Sequence, residues 1–194
     1  MKKWEIRNKK ILKNLKIFNL FEYEMQSPYQ DSQKKKYYFY VLDSSDWINI
    51  FPLTDDNKVV FVEQYRPGTD SITLELPGGM VNANERPLKS AQRELLEETG
   101  FISEEWSKLG IVDPNPAILN NKCHTFLANN VEKISEPDNF GSEHTKVKLV
   151  DLSDLEDFIN GGIITHSLVI NAIYWYKMKE KKFNLEHLGE WRNW

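Results

Sequence analysis

The residues best suited to chemistry lie between Gly79 and Phe101, where three glutamates share one flank of a predicted helix. Glu94, Glu97 and Glu98 are neighbours because side chains three and four positions apart meet on a helix surface. Like charges at this spacing repel, and the negative end of the helix dipole adds to the penalty. A divalent cation would reverse both effects, and clustered carboxylates are the oxygen ligands that Mg²⁺ takes. The pattern predicts a metal-phosphate site, with a solvated helix face as the alternative.

The helix that carries these glutamates is predicted to run from Pro87 to Thr99. Proline suits the first helical position, and Gly100 supplies the left-handed stop. The preceding Pro77-Gly78-Gly79 lets the backbone come close, so that a carbonyl could complete a metal shell. The helical period separates a core face from an acidic face. The core face holds Leu88, Ala91, Leu95 and Thr99, and the acidic face holds Ser90, Glu94, Glu97 and Glu98.

The spacing of this stretch matches a known signature. It consists of Gly79, five residues, Glu85, seven residues, Arg93-Glu94-Leu95, one residue, Glu97-Glu98, one residue and Gly100-Phe101. At average residue usage, seven fixed identities coincide by chance in about one window in 10⁸. The stretch resembles the signature of the Nudix hydrolases at every specified position.

The flanking segments resemble one Nudix subgroup, the ADP-ribose and nucleoside-diphosphate-sugar pyrophosphatases. The matching residues are Glu63-Gln64-Tyr65-Arg66, Glu75-Leu76-Pro77-Gly78-Gly79, Pro116 and Glu143. The resemblance implies an α/β fold, the Nudix α/β/α sandwich with a mixed sheet, plus a small N-terminal β subdomain. It also implies a homodimer in which the N-terminal β subdomain reaches over the partner's site. We expect residues 1–46 to form that subdomain and residues 47–194 the catalytic domain.

The resemblance also implies roles for the signature residues. Glu94 and Glu98 would hold Mg²⁺, for which Mn²⁺ could substitute. Glu97 and the Gly78 carbonyl would assist them, and Arg93 would orient a glutamate during catalysis. The metal set is therefore expected to be Gly78, Glu94, Glu97 and Glu98.

Residues outside the signature are expected to bind substrate or move a proton. Arg66 would contact the diphosphate, with a surface ion pair as the alternative. Glu143 would serve as general base, because in this subgroup the base comes from a loop rather than the helix. Met80 and Pro116 are expected at the substrate, and Trp47 or Phe21 is expected to stack on its base.

Composition limits the class of protein and its partners. The formal net charge is -4, which gives no reason to expect nucleic-acid binding. Because there is one cysteine, Cys123, no intrachain disulfide can form, and a reducing compartment, the cytoplasm, is expected. No apolar run approaches the ~18 residues of a membrane span. An amphipathic membrane-surface helix over residues 1–20 is an alternative to an exposed edge segment that leads into an extended run near Lys16 to Glu24.

The remaining chain reads as strands and short helices. Segments near Trp47–Leu53 and Val59–Tyr65 are predicted to pair as a hairpin across the turn from Thr54 to Lys58. Cys123 and His124 cannot form a catalytic dyad, because adjacent strand residues point to opposite faces. A short helix is expected from Ser153 to Gly161, and a longer one capped by Thr165, with a core stripe of Leu168, Ala172, Trp175 and Tyr176.

These features together predict Mg²⁺-dependent hydrolysis of the diphosphate bond in a nucleoside diphosphate sugar, giving a nucleoside monophosphate and a sugar phosphate. Gly78 and Asn115-Pro116-Ala117 depart from the usual ADP-ribose pattern, which favours GDP-mannose or an ADP-sugar over ADP-ribose. One alternative is a nucleoside triphosphate pyrophosphohydrolase. A second is a non-catalytic Nudix module that binds a nucleotide sugar, although such a module has little need for intact carboxylates.

Overall fold

The structure is a computed structural model that describes residues 1–29, 35–138, 144–179 and 181. The predicted general base, Glu143, therefore lies outside the described residues. Two parts of the chain are distinct in their strand pairing. Strands of the first 43 residues form a sheet of their own, joined to the rest by an isolated bridge between Leu42 and Leu119, and the later strands build the sheets around α1.

The N-terminal part is an antiparallel three-stranded sheet in the order β1-β2-β3. Its strands are β1 (Glu5–Asn14), β2 (Asn19–Gln26) and β3 (Lys36–Asp43). Leu15 N–H donates to Phe18 C=O at 3.0 Å and closes the turn between β1 and β2. Every residue of β1 is exposed, as expected for an edge strand rich in lysine. The first 20 residues thus form strands, and the amphipathic-helix alternative is wrong.

The second part contains the remaining strands and all the helices of the described residues. The strands are β4 (Trp47–Pro52), β5 (Lys58–Arg66), β6 (Ser71–Glu75), β7 (Gly78–Met80), β8 (Phe101–Ile102), β9 (Glu105–Val112), β10 (Cys123–Asn129), β11 (Glu132–Lys133) and β12 (Lys146–Asp151). The helices are α1 (Pro87–Thr99), α2 (Leu155–Asn160) and α3 (Ser167–Lys179).

The central sheet is mixed and has the order β7-β4-β10-β9. β4 and β10 run parallel, while β7 and β9 are antiparallel to their neighbours. β5 lies instead in a second sheet, in the order β12-β5-β6. The predicted β4-β5 hairpin is therefore wrong. The turn forms, with Thr54 N–H donating to Lys58 C=O at 2.9 Å, but beyond a single bridge at Leu53 and Val59 the strands diverge into different sheets.

The core has two layers, one on each side of the sheets. Along β4, Ile48 and Ile50 point into the layer that contains Ala91 and Leu95 of α1. Phe51 and Leu53 belong to the other layer, together with residues of α2 and α3. Because successive side chains of a strand face opposite sides, β4, β5, β10 and β12 each supply both layers. The prediction of an α/β/α sandwich with a mixed sheet is confirmed.

Helix α1 spans the predicted residues. Pro87 occupies its first turn, and Gly100, at a φ of 75°, ends it with its N–H donating to Leu96 C=O. The predicted faces need two corrections. Leu88 is 37% exposed rather than in the core, because it lies on the first turn, beyond the packed layer. Ser90 is fully buried rather than on the acidic face, because its hydroxyl donates to Glu85.

The C-terminal helices cover the sheet face opposite α1. α2 ends where Gly161 N–H donates to Asp157 C=O, as the glycine pair predicted. α3 begins at Ser167, later than a cap at Thr165 would place it, and buries Val169, Ala172 and Ile173. The ring of Tyr176, on α3, stacks on the ring of Phe51, with 4.4 Å between the two ring centroids. In the described part of the chain, no helix combines the length and apolarity needed to cross a membrane.

Candidate active site

The acidic flank of α1 faces the segment Pro77-Gly78-Gly79, called the glycine turn here, which bends at Pro77 and enters strand β7 at Gly78. Gly78 N–H donates to Glu98 Oε2 at 2.9 Å. The Glu94 carboxylate lies against Gly79, because a Cβ built on that glycine would be 2.5 Å from Glu94 Oε1. The Glu94 side chain is 13% exposed and that of Glu97 is 46% exposed. The structure therefore brings two carboxylates and the glycine backbone together, with the third carboxylate at the solvent edge.

Arg93 lies at the centre of the flank and contacts three glutamates. Its Nη1 donates to Glu94 Oε1 at 2.7 Å and to Glu97 Oε2 at 2.8 Å, and its Nη2 reaches Glu85 Oε2 at 3.3 Å. Ser90 Oγ donates to the same Glu85 oxygen at 2.8 Å. The flank is thus less unfavourable than the sequence indicated, because a cation already lies among the carboxylates.

These contacts shift the pKa of both partners. Burial by itself would lower the pKa of Arg93, but its hydrogen bonds to Glu85, Glu94 and Glu97 raise that pKa above the ordinary value. Hydrogen bonds from Ser90 and then from Arg93 hold the pKa of Glu85 below its ordinary value. Arg93 and Glu85 therefore both keep their charges at neutral pH.

The two glycines of the turn are required for different reasons. A Cβ at Gly79 would occupy the space of the Glu94 carboxylate. A Cβ at Gly78 would overlap the backbone oxygen of Ile48, because β7 pairs with β4 at this point. The turn thus brings backbone and carboxylates closer together than any other residue type would allow.

The donor set fits a hard divalent cation in chemical type, and two of its carboxylates lie at the glycine pair. Carboxylate oxygens of Glu94 and Glu98 both lie at the glycine pair, and Mg²⁺ prefers such ligands together with water and substrate phosphates. In residues 1–29, 35–138, 144–179 and 181, no three acidic, histidine or cysteine side chains converge as a metal site. Glu94 and Glu97 instead contact Arg93, so metal binding would require their carboxylates to rotate.

A family model described as the NUDIX domain matches residues 46–166, which include α1 and the glycine turn. The chain belongs to the Nudix family. Three of the four signature glutamates of this Nudix hydrolase, Glu94, Glu97 and Glu98, lie on α1, and Glu85 lies just before it. The family match extends to the strands that position the helix.

Relatives of this Nudix chain include enzymes named for ADP compounds. An ADP-ribose pyrophosphatase of Bacillus subtilis is 24% identical over 166 residues, covering 85% of this chain and 88% of that protein. A methanol dehydrogenase activator of Bacillus methanolicus is 27% identical over 135 residues, 69% and 72% of the two chains. The crystal structure of an ADP compounds hydrolase has a TM-score of 0.80 at 18% identity, with 97% of each chain covered, and shows a shared fold.

Arg66, the last residue of β5, is held by the buried carboxylate of Glu75 on the following strand, β6. Its Nε donates to Glu75 Oε1 at 2.9 Å, and its Nη2 donates to Glu75 Oε2 at 2.8 Å. Burial opposes the charged form of Glu75, yet hydrogen bonds from Arg66 and Thr73 hold its pKa below the ordinary value. The alternative of an ion pair for Arg66 is therefore realised, and its partner is buried rather than at the surface.

The other residues expected at the substrate lie on the strands and loops around the turn. Trp47 begins β4 and is opposite Met80 in the β4-β7 pair, with both side chains partly buried. Pro116 is exposed in the loop between β9 and β10. Phe21 lies in β2 and packs edge-on against Tyr23 at 6.1 Å between centroids. Their roles toward a substrate remain predictions.

Cys123 and His124 are structural, as predicted. Cys123 is fully buried, and burial, with the nearby charge of Asp46, raises the pKa of its thiol to about 12. His124 Nε2 lies 2.8 Å from Asp46 Oδ2. A protonated thiol is a poor nucleophile, so no thiol chemistry is expected here.

The sequence alone indicated no separate role for Glu75 or Glu85. Glu75 lies between Leu74 and Leu76 on a strand, and it is 3% exposed. A charged residue at a buried strand position needs a cationic partner, so the alternation pattern contained the signal. The contacts of Glu85 with Ser90 and Arg93 depend on how the loop before α1 folds, and no local pattern revealed them.

Proposed function

We propose that this Nudix hydrolase cleaves the phosphoanhydride of nucleoside diphosphate sugars, with ADP-ribose and ADP-sugars as the main substrates. The observation that carries the proposal is the acidic flank of α1, held against Gly78 and Gly79 and ordered by Arg93. The substrate class is supported by relatives named ADP-ribose pyrophosphatase in Bacillus subtilis and ADP-sugar pyrophosphatase in Mus musculus, the latter 33% identical over 85 residues, 42% of this chain and 39% of that protein.

Glu94 and Glu98, with Glu97 and the Gly78 carbonyl, would hold Mg²⁺. When bound, the ion supplies charge neutralisation at the phosphates and a lower pKa for the attacking water. Gly78 N–H keeps Glu98 oriented toward the turn at 2.9 Å. Arg93 Nη1 donates to both Glu94 and Glu97 and so holds the two carboxylates close to each other.

Substrate contacts and proton transfer are assigned to residues around the flank. Arg66 contacts the diphosphate, and its charge offsets that of the phosphates. Met80, Trp47 and Pro116 line the base and sugar positions. Glu143 takes the proton of the attacking water as general base.

The mechanism predicts different losses for two glutamine variants. Glu98→Gln should abolish turnover of ADP-ribose because it removes a metal ligand, and the variant should remain folded since Gln can still accept the Gly78 hydrogen bond. Glu143→Gln should reduce kcat by about 10²-fold or more, as expected for loss of a general base. Steady-state kinetics with Mg²⁺ and thermal denaturation measure both effects.

An undiminished rate for Glu98→Gln would remove α1 from the mechanism. An undiminished rate for Glu143→Gln would mean that Glu97 or Glu98, rather than Glu143, takes the proton. Glu156→Gln serves as a matched control, because Glu156 makes a surface ion pair with Lys177 on α3.

A substrate panel tests the substrate class. A coupling phosphatase releases inorganic phosphate from the products, and the rate of its release measures turnover. We expect faster turnover of ADP-ribose and an ADP-sugar than of GDP-mannose or dGTP. Faster turnover of dGTP would indicate a nucleoside triphosphate pyrophosphohydrolase. Recovery of every intact ligand after long incubation with Mg²⁺ would indicate a binding module instead.

We also propose that the enzyme acts as a homodimer in the cytoplasm, with residues 1–46 covering the partner's site. β1 supports this arrangement, because a ten-residue edge strand exposed along its whole length is a surface on which another chain can pair or pack. The reducing compartment follows from the lone cysteine, which cannot form an intrachain disulfide.

A further inference from the structure

Glu75, the last residue of β6, is a carboxylate that the fold has taken out of water. It is 3% exposed, and burial of a carboxylate is unfavourable unless the charge is paired and its oxygens are hydrogen-bonded. Arg66 Nε and Nη2 supply two bonds at 2.9 and 2.8 Å, and Thr73 Oγ1 supplies a third at 2.7 Å. The carboxylate is thereby held by Arg66 of β5 and by Thr73 of its own strand, β6.

The ion pair is asymmetric in its exposure. The Glu75 side chain is 4% exposed, whereas the Arg66 side chain is 46% exposed. Arg66 lies four residues beyond Val62, the partner of Glu75 in the β5-β6 pair, so its side chain starts on the same face and reaches back along the strand. A two-bond contact to a planar guanidinium fixes the direction in which the group faces. The buried end anchors the pair, and the cation lies toward solvent.

The anchor lies close to the acidic flank in the chain. Glu75 is followed by Leu76 and Pro77, and then by Gly78, whose N–H binds Glu98. Three residues of extended chain span at most about 10 Å. Pro77 C=O also accepts from Ile50 N–H at 2.9 Å, which fixes this segment to β4. The segment from Glu75 to Gly78 thus contacts the Arg66 guanidinium at one end and the Glu98 carboxylate at the other, and its position is fixed by β4.

We propose that Glu75 is a positioning residue that aims the Arg66 guanidinium at the diphosphate of the substrate. The inference rests on the proposed function, since that function assigns the diphosphate to Arg66. An arginine that is already held loses less side-chain freedom when it binds a phosphate, so preorganisation strengthens binding. Because the same contact serves ground state and transition state, its loss should raise KM more than it lowers kcat.

The kinetic test compares Glu75→Gln with the wild-type chain on ADP-ribose and Mg²⁺. Glu75→Gln keeps the shape of the side chain and removes its charge, so we expect KM to rise by about tenfold or more with kcat within about threefold. Glu156→Gln should change neither constant. A KM that stays at the wild-type value in Glu75→Gln would overturn the inference.

A double-mutant cycle separates positioning from a purely structural role. In an Arg66→Ala background, Glu75→Gln should add no further rise in KM, because the residue through which it acts is gone. An equal rise in both backgrounds would contradict the proposal. If Glu75→Gln does not fold, Thr73→Val provides a second test. It removes the hydrogen bond from Thr73 to Glu75 and should raise KM by a smaller factor. Thr73→Ser should restore the wild-type value, and a Thr73→Val enzyme with wild-type KM would count against the proposal.

A measurement that needs no turnover keeps this inference separate from the proposed function. The ¹⁵N-labelled Nε–H of Arg66 should exchange slowly with water in the wild type and rapidly in Glu75→Gln, and ADP-ribose without metal should shift its resonance. If the shift occurs but no panel substrate is hydrolysed, the proposed function fails and the positioning role stands. If ADP-ribose is hydrolysed but leaves the resonance unmoved, the proposed function stands and the positioning role fails.

Discussion

Gly78 and Gly79 show how two identical neighbours can serve different ends. A Cβ at Gly79 would meet only the far end of a flexible side chain, the Glu94 carboxylate at 2.5 Å. A Cβ at Gly78 would meet the backbone of β4, which cannot move without breaking the β4-β7 pair. One glycine therefore makes room for the site, and the other makes room for the sheet.

This difference predicts that two alanine variants lose different properties: turnover in one and stability in the other. Gly79→Ala should displace the Glu94 carboxylate and lower turnover by up to about 10²-fold, the effect of a misplacement near 1 Å, with little change in stability. Gly78→Ala should reduce the free energy of unfolding by about 1–3 kcal/mol through overpacking. Urea denaturation and steady-state kinetics on both variants measure the two effects. Equal losses of stability would show that both glycines serve the backbone.

Cys123 gives a second prediction at the residue scale. With its pKa raised to about 12 by burial, the thiol should not react with a disulfide reagent at pH 8 while the protein is folded. It should react fully once urea unfolds the chain, because an ordinary thiol pKa is near 8.5. Absorbance of the released thiolate follows the reaction. Fast labelling of the folded protein would contradict the burial of this strand.

At the scale of elements, α1 has to hold a core face and an acidic face in one register. Ala91 and Leu95 are fully buried against β4 and the strands beside it, which fixes the rotation of the helix. No basic residue lies in its last turn to offset the glutamates there, and Arg93 offsets them from the preceding turn. Apolar packing thus determines where the carboxylates point.

Two adjacent leucines of α1 test this balance. Leu95 is fully buried and Leu96 is 37% exposed. Leu95→Ala should lower the free energy of unfolding by about 2–5 kcal/mol, because it leaves a cavity in the core. Leu96→Ala should change it by no more than about 0.5 kcal/mol. Chemical denaturation provides both values, and similar losses would mean that α1 is rotated relative to the sheet.

At the scale of the whole molecule, the N-terminal sheet stands out because many of its large apolar side chains are exposed. Its exposed apolar residues include Ile6, Ile11, Leu12, Tyr38, Phe39 and Tyr40. Exposed large apolar side chains gathered in one small sheet are a candidate surface for contact with another chain. The sheet also remains attached to the catalytic part, where Leu42 N–H donates to Ile118 C=O at 2.8 Å, in the loop that carries Pro116.

The proposed dimer predicts a mass and a way to reduce it. Light scattering after gel filtration should give about twice the chain mass of 22.8 kDa. Replacing Tyr38 and Tyr40 together by serine should shift the equilibrium toward the monomer, because both are more than half exposed on one face of β3. Tyr174→Ser, at a 58% exposed position on α3, is the matched control. A wild-type monomer would refute the dimer.

The sequence by itself determined α1, its acidic flank and the close backbone approach at Gly78 and Gly79, because these depend on signals within one short stretch: Pro87, Gly100 and the spacing of the glycines and glutamates. It did not show that the two glycines belong to strand β7. The strand segments were also visible, since alternating and apolar runs are local patterns. The family signature then pointed to the sandwich that these elements build. None of these features required knowledge of a distant contact.

Only the tertiary structure decided where β4 and β5 part and which charges meet. The turn between them suits a hairpin, but pairing of β4 with β10 and of β5 with β12 joins segments far apart in the chain. The burial of Glu75 against Arg66 depends on the same packing. Distant residues bury the Glu75 carboxylate, and Arg66 offsets the cost of that burial, so no local pattern specifies the contact.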